Sequence, residues 1–343
     1  MSANRYITLV AALFCIGVAV ELYAKPKIKT AENNTTPLRV DTLTVEQEQQ
    51  FLYYFYEAER LILSDKVEQA RPLVEFCYAL NPYNATINNL MGHYAQADED
   101  VIMMFVHYKR AFELSPDEYW YNHNALLMQV KTRASQMEAI TNLEQVAKNN
   151  PKNGDVCAFL QKAYISCELY NKALAIQDQI DSINGYNEQS AIQRYQLNLA
   201  LEDYAGALHE IERYIEFDDS NLQFLSLRVQ LYEYTKQPYS KKIEAYEALL
   251  PYDSRNMGVL NNLAWALCMS DGDLERAEQL SQITIMTEPN NPVFLDTYAW
   301  IAYKLGDCET AKFFIQRAMQ YMDDDTSKEI QAHYKEIKRK CGK

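Results

Sequence analysis

Residues 289–323 decide the fold of this chain, and they read PNNPVFLDTYAWIAYKLGDCETAKFFIQRAMQYMD. Apolar residues recur in this stretch at helical spacing, as Tyr298 and Ala302 do. The sequence LGD at residues 305–307 separates two such patterns, each about a dozen residues long, and so predicts two helices joined by a turn. A pair of short helices cannot bury its own apolar face, so we expect this pair to stack on similar neighbours.

The same pattern repeats along the chain with a period close to 34 residues. Unit boundaries marked by a proline after a polar or acidic residue fall at Pro82, Pro116, Pro151 and Pro289. Equivalent boundaries without proline fall near residues 185, 219, 254 and 323. Twelve residues before these boundaries, six positions hold alanine: Ala70, Ala139, Ala173, Ala207, Ala277 and Ala311. A methyl group there lets the second helix of a pair cross the first closely, so the spacing predicts stacked helix pairs.

These residues resemble the tetratricopeptide repeat (TPR), whose pattern is W-x2-L-G-x2-Y, then A-x3-F, then P at a 34-residue period. The match is clearest in residues 262–289, which begin with NLAW, and in residues 295–315, which run from LDTYAW to AKFFI. The resemblance implies an all-α fold, a right-handed α-solenoid of about eight TPR helix pairs plus a C-terminal capping helix. We assign the solenoid to residues 47–325 and the capping helix to residues 326–343.

Residues 1–24 have the organisation of a secretory signal peptide. Arg5 precedes an apolar run at residues 7–20, which is too short as a helix to cross a bilayer. Small residues then offer cleavage after Ala19 or after Ala24. An uncleaved short anchor is the alternative interpretation.

The polar residues 25–46 are predicted to be a flexible linker. The run that follows, from VEQE at residues 45–48 to EAER at residues 57–60, looks like the corresponding part of exported TPR proteins of Bacteroides-type Gram-negative bacteria. This narrower likeness, together with the signal peptide, implies an exported protein that is periplasmic or associated with the outer membrane. Residues 329–334 look like the first helix of a ninth unit, and the lysine-rich tail after them can make it a polar cap.

Composition and motifs argue against several kinds of function. The chain of 343 residues has 47 acidic against 33 basic residues, a net charge of −14, which argues against a nucleic-acid partner. Its nine glycines form no phosphate-binding loop, no H-E-x-x-H or G-x-S-x-G occurs, and the acid runs at turns are predicted to be loop charges and helix caps. We therefore predict no catalytic site, no metal and no cofactor. The cysteines show no C-x-x-C spacing and are expected to be mostly buried. The sequence does not decide whether two of them form a disulfide.

The TPR resemblance also implies where a partner binds, because the first helices of TPR units line a concave groove. Carried over unit by unit, the predicted groove residues are Asn89, His93, Asn124, Lys162, Gln196, Arg228, Asn262, Trp265, Trp300 and Tyr303. Amide side chains can bond an extended peptide backbone, and aromatic rings supply apolar contact or stack on sugars. Alternatively, the two tryptophans simply pack between neighbouring first helices. The lysine–arginine clamp with which some TPR arrays hold a peptide carboxylate is missing, since Lys162 stands alone.

Two functions follow from this set of features. The first is a non-catalytic protein–protein interaction scaffold of the cell envelope, which binds a partner polypeptide in the groove. The alternative is a carbohydrate-binding accessory protein of the envelope. The partner's identity and the oligomeric state are not predicted by the sequence.

Overall fold

The computed structural model describes residues 43–270, 272–324 and 326–342, with the side chain of Ser327 left out. These residues form seventeen α-helices and no strand. The chain divides into a first unit, Met1–Glu48, and a second unit, Gln49–Lys343, and the packing below concerns the second. The predicted signal peptide, residues 1–24, lies outside the described residues, as does the predicted linker up to residue 42.

The helices form eight consecutive pairs and a final single helix, so the predicted all-α solenoid is confirmed. The first helices are α1 (Val45–Leu63), α3 (Ala85–Ala97), α5 (Pro116–Val130), α7 (Gly154–Ser166), α9 (Glu188–Ala200), α11 (Leu222–Tyr234), α13 (Met257–Met269) and α15 (Pro292–Leu305). The second helices are α2 (Val67–Leu80), α4 (Val101–Leu114), α6 (Arg133–Asn149), α8 (Tyr170–Asn184), α10 (Tyr204–Phe217), α12 (Tyr239–Leu249), α14 (Leu274–Thr287) and α16 (Cys308–Tyr321). The final helix is α17 (Ser327–Cys341).

From α2 onward, successive helices pack against each other in chain order, as a stack of pairs requires. The first helices α13 and α15 also contact directly, as do α15 and α17. All six alanines of the repeat pattern have an exposed fraction of 0%. The alanine position is therefore the close crossing point that its spacing predicts, and a larger side chain there would separate two helices.

Asparagine caps the start of six first helices. In each case the side-chain oxygen accepts a hydrogen bond from a backbone N–H in the first turn of the helix, which satisfies a donor that has no partner within the helix. The six caps are Asn84, Asn153, Asn187, Asn221, Asn256 and Asn291. Several second helices begin instead at an aspartate, and Asp100, which caps α4, confirms one of the predicted acidic caps.

Gly92 allows the close approach of α3 and α4. A Cβ atom at this position would overlap the ring of Tyr108 on α4, so any residue other than glycine would displace this buried ring. The Tyr108 hydroxyl lies between these helices, where it donates a hydrogen bond to Gln96 Oε1 at 2.9 Å. Burial raises the pKa of Tyr108 well above its usual range.

A buried polar network joins α7, α8 and α9 in the middle of the stack. Gln161 Nε2 donates to Gln177 Oε1 at 2.6 Å, and Gln177 Nε2 donates to Asp181 Oδ1 at 2.7 Å. Asp181 also accepts from Ser190 at 2.6 Å and from the Arg194 guanidinium at 2.7 and 2.9 Å. Burial acts to raise the pKa of Asp181, but these hydrogen bonds and the charge of Arg194 outweigh it and lower that pKa. The carboxylate is therefore held in its ionised form.

A disulfide, whose formation the sequence did not decide, joins Cys308 to Cys341. It links the first residue of α16 to the last residue of α17, and the two cysteines are 33 residues apart, about one repeat. The other cysteines within the described residues are buried, as predicted. Ile330 and Ile337 of α17 are buried as well, so the last helix is held by packing and by a covalent bond.

His123 on α5 is buried between two aromatic rings of α4. Its ring centroid lies 5.3 Å from that of Phe112 and 5.4 Å from that of Phe105. Burial, with a smaller contribution from the charge of Lys109, lowers the pKa of His123 to about 4. The folded protein therefore keeps this imidazole neutral through the range in which an unfolded histidine gains a proton, near pH 6.5.

We expect His123 to make the fold sensitive to mild acid. Because the pKa is lower in the folded chain, the stability it contributes is present above about pH 6.5 and is lost as the pH falls towards 4. Between pH 8 and pH 5 this one group should reduce the free energy of unfolding by about 2 kcal/mol. Urea unfolding of His123→Leu at both pH values should show a smaller pH dependence than wild type. His209→Leu, a change at an exposed histidine of α10, is the control, and equal pH dependence in all three proteins would contradict the prediction.

Candidate partner-binding surface

Accessible side chains recur at one position of the first helices, nine residues after each asparagine cap. They are His93, Lys162, Gln196, Gln230, Trp265 and Trp300. Because the capped helices are equivalent members of a stack, the same position in each helix faces the same side. We call these six side chains, with the accessible neighbours on the same helices, the first-helix surface.

Direct contacts between successive first helices show that they lie side by side. Asn122 of α5 donates from Nδ2 to Oδ1 of Asn89 on α3 at 3.1 Å. The ring of Tyr121 on α5 meets that of Phe159 on α7 edge to face, with centroids 5.3 Å apart. The surface is therefore continuous from one unit to the next in this part of the stack.

His93 takes part in a chain of hydrogen bonds at the α3 part of the surface. The amide of Asn89 lies 3.2 Å from His93 Nε2, and the Tyr108 hydroxyl lies 3.1 Å from Nδ1. Since Tyr108 donates its proton to Gln96, its oxygen accepts from Nδ1–H of His93, and Nε2 accepts from Asn89. Burial lowers the pKa of His93 although its edge is exposed, as is typical of a side chain in a hollow of the surface.

The middle of the surface is polar. Lys162, Gln196 and Gln230 are exposed on α7, α9 and α11. Gln230 was not among the predicted groove residues, although it stands 34 residues after Gln196 and could have been found from that spacing. One cation and two amides in a row can donate hydrogen bonds to the carbonyl groups of an extended chain.

The structure places two of the predicted groove residues inside the fold instead. Arg228 is buried and lies 3.5 Å from Glu212 of α10, the second helix of the preceding pair. Asn124 is fully buried, where it donates to the backbone oxygen of Trp120 at 2.7 Å and accepts from Asn142 at 3.1 Å. These two side chains hold helices together and are not accessible to a partner in this conformation.

The C-terminal part of the surface is aromatic. His333 of α17 lies between Trp265 and Trp300, with ring centroids 5.6 Å and 4.2 Å away. Its Nδ1 is 2.8 Å from Oδ2 of Asp296 on α15. Both tryptophans thus contact a ring of a neighbouring helix and remain partly accessible. Their role in binding a partner stays a prediction. His333, which sequence reasoning missed, is brought here by the stacking of α17.

Two further predicted residues lie beside this aromatic group. Asn262 of α13 is exposed next to the buried Asn261, whose amide is 3.4 Å from its side-chain oxygen. Tyr303 of α15 is half-buried and donates to Glu336 of α17 at 3.3 Å. Asn262 precedes Trp265 by three residues and Tyr303 follows Trp300 by three, so each shares a side of its helix with that tryptophan.

Within residues 43–270, 272–324 and 326–342, no three His, Cys, Asp or Glu side chains form a group that could hold a metal ion. Over the same ranges, no helix is both long enough and apolar enough to span a membrane.

No protein-family model matches the sequence. No curated protein is similar to it either. Among solved structures, the chain is similar to a tetratricopeptide repeat protein from Parabacteroides merdae, with 14% sequence identity, coverage of 74% of this chain and 98% of that chain, and a TM-score of 0.37.

Two other solved structures have a similar arrangement of helices. PilF of Pseudomonas aeruginosa is 13% identical, with 64% of this chain and 99% of that chain covered and a TM-score of 0.39. The TPR2AB domain of yeast Sti1, in a complex with pHSP90, is 17% identical, with 74% and 98% covered and a TM-score of 0.35. The helix pairs, the asparagine caps and the buried alanines of this chain form a helical repeat.

Proposed function

We propose that this protein is a non-catalytic interaction scaffold that binds an extended segment or a helix of a partner polypeptide on the first-helix surface. One observation supports this most directly: six first helices present an accessible polar or aromatic side chain at the same position. A partner that runs across the stack meets these side chains at regular intervals. Amides and the lysine can bond its backbone, and the tryptophans can contact its apolar residues.

Variants in the middle of the surface test this proposal without disturbing the core. Lys162→Ala/Gln196→Ala/Gln230→Ala removes three exposed side chains and should leave the fold unchanged. In affinity capture from an envelope extract, this triple variant should then fail to retain partners that the wild-type protein retains. Trp265→Ala/Trp300→Ala tests the aromatic part of the surface in the same way, with circular dichroism as the check of folding.

The matched control changes exposed side chains on second helices. The double variant Met286→Ala/Phe313→Ala removes two exposed apolar side chains, one on α14 and one on α16. This variant should retain the wild-type set of partners. If the surface variants and the control capture the same partners, the first-helix surface is not the binding site.

We further propose that the protein is exported to the periplasm or the outer membrane, as the exported TPR proteins of Bacteroides-type bacteria are. The Cys308–Cys341 disulfide supports this, because disulfides persist in oxidising compartments. Intact mass of the protein purified from envelope fractions should correspond to a chain that begins at Val20 or Lys25. A chain that retains residues 1–19 in the membrane fraction would support the anchor instead, and recovery from the cytoplasm alone would contradict export.

Carbohydrate binding is the second candidate, favoured by the two partly accessible indole rings beside the exposed amide of Asn262. Both rings already contact His333, which leaves less ring surface for a sugar than a free pair would offer. A glycan array read by tryptophan fluorescence distinguishes the two functions. A response that is lost in Trp265→Ala would favour glycans, and a flat response across polysaccharides would remove this candidate.

A further inference from the structure

Charged residues are distributed unequally between the two kinds of helix. Each of the eight second helices, from α2 to α16, contains at least three Lys, Arg, Asp or Glu residues. Among the seven described first helices from α3 to α15, α3 and α13 contain none and each of the others contains two. These first helices are therefore poor in charge, although the net charge of the chain is −14.

The charges that these helices do contain lie mostly inside the fold or at helix ends. Arg194, Arg228 and Asp296 are buried. The charged residues in a first or last turn are Asp117, Glu118, Asp155, Glu188, Glu233 and Lys304. Within the described helices α3 to α15, this leaves Lys162 of α7 as the accessible charge of a first helix between its two ends.

Glutamine occupies accessible positions in the middle of the first-helix surface. Gln189 and Gln196 of α9 are exposed, and Gln223 and Gln230 of α11 are exposed 34 residues later in the chain. The two members of each pair are seven residues apart, so they lie on the same side of their helix. These four amides can both donate and accept hydrogen bonds, and they do so without a charge.

The two ends of the surface offer little charge as well. Burial lowers the pKa of His93 at the α3 end, so its imidazole is neutral at neutral pH. At the other end the accessible groups include the indole rings of Trp265 and Trp300. The carboxylate of Asp296 beside them is buried, and its Oδ2 is 2.8 Å from Nδ1 of His333. This carboxylate is therefore not offered to a partner in this conformation.

A surface of this kind disfavours a charged partner segment. A charged side chain that leaves water to contact amides and aromatic rings loses hydration and gains no opposite charge in return. The net charge of −14 attracts basic molecules from a distance, but salt screens that attraction beyond about 8 Å at physiological ionic strength. Contacts at the surface itself therefore decide which segments stay bound.

Building on the scaffold function proposed above, we propose that the first-helix surface binds an extended polypeptide segment with no charged side chain except one acidic residue opposite Lys162. Packed helices lie roughly 10 Å apart and an extended chain advances about 3.3 Å per residue, so each first helix meets about three residues of the segment. A segment of about twelve residues therefore reaches across four first helices. Because ion pairs contribute little, its affinity should depend little on salt.

Selection from a phage-displayed library of random peptides, each of about twelve residues, tests this chemistry on the purified protein. The retained peptides should be poorer in Lys, Arg, Asp and Glu than the unselected library. Their Kd should change less than about twofold between about 50 and about 500 mM NaCl. Two lysines or two glutamates placed in a retained peptide should weaken its binding by about tenfold or more. Retention of mainly basic peptides would show that the net charge selects the partner, and would overturn the proposal.

A variant with added charge shows whether the peptides bind on this surface. Gln196→Lys/Gln230→Lys places two cations at exposed positions and should retain acidic peptides, whose binding weakens as salt rises. Met286→Lys adds a cation at an exposed position of α14 and should retain the same peptides as wild type. If Gln196→Lys/Gln230→Lys also retains the wild-type peptides, the proposal is wrong.

The same selection separates failure of this proposal from failure of the scaffold function. Wild type that retains charged peptides still binds polypeptides, so that result contradicts only the uncharged partner segment. Wild type that retains no peptide at all contradicts the binding of an extended polypeptide, and the uncharged segment with it.

Discussion

Replacement of Arg194 by methionine should lower the free energy of unfolding by about 3–5 kcal/mol, since removal of one partner leaves a buried charge uncompensated. The Arg194 side chain is only 10% exposed and that of its partner Asp181 11%. Methionine retains most of the apolar stem and removes the two hydrogen bonds to the carboxylate. Urea unfolding at neutral pH, followed by circular dichroism, measures the change.

A double variant separates the lost ion pair from lost packing. Arg194→Met/Asp181→Asn removes both charges but keeps an oxygen that accepts from Ser190 and Gln177, so it should recover much of the stability lost in Arg194→Met. The control is Lys312→Met, because the Lys312–Glu309 pair lies on the surface of α16 and should contribute less than about 1 kcal/mol. If Arg194→Met and Lys312→Met lose the same small amount, the network across α7, α8 and α9 does not stabilise the stack.

Wild type should also lose stability in stronger acid through Asp181. The hydrogen bonds from Ser190, Gln177 and Arg194 overcome the effect of burial and lower its pKa. The stability that depends on this carboxylate is therefore present above its usual pKa range and is lost as the pH falls below that range. Arg194→Met should lessen this part of the acid sensitivity, which lies at a lower pH than the part due to His123.

Loss of the Cys308–Cys341 disulfide should destabilise the C-terminal end by about 3–4 kcal/mol, as the entropy of closing a loop of about 33 residues suggests. Cys308→Ser/Cys341→Ser should detach α17 more readily than any other helix, because each helix of the stack is held only by its neighbours. Hydrogen exchange should therefore be faster in α17. Tryptophan emission should shift to the red as His333 leaves Trp265 and Trp300.

Reduction of wild type provides the matched experiment. A reductant should reproduce the effect of the double serine variant and should leave that variant itself unchanged. The remaining cysteines of the described residues are buried and cannot account for a rapid effect. Equal unfolding curves for oxidised and reduced wild type would show that packing of Ile330 and Ile337 alone holds α17.

Much of the fold could be predicted because its determinants are local and periodic. The alanines at six crossing points are all fully buried, as their spacing predicts. The asparagine caps were missed, although Asn153, Asn187 and Asn221 are 34 residues apart and mark the start of each first helix directly. These caps give the register of the first helices more reliably than the prolines do, since only some boundaries have a proline.

The predicted surface was less accurate than the fold. Lys162, Gln196 and Asn262 are exposed, whereas Arg228 and Asn124 are inside. Arg228 is two residues from Gln230, and two residues turn a helix by about 200°, enough to move a side chain from the accessible side to the interior. The family pattern was applied without knowledge of the residue at which each first helix begins. It therefore could not distinguish two positions that are only two residues apart.

The sequence by itself determined that this chain stacks short helix pairs, because small residues, caps and apolar spacing act within each unit and recur in all of them. Only the tertiary structure decided which side of each first helix is accessible, how His333 meets the two tryptophans, and that Cys308 lies beside Cys341. Those features depend on the rotation of one helix against another, which is set by packing between units and not by any single segment.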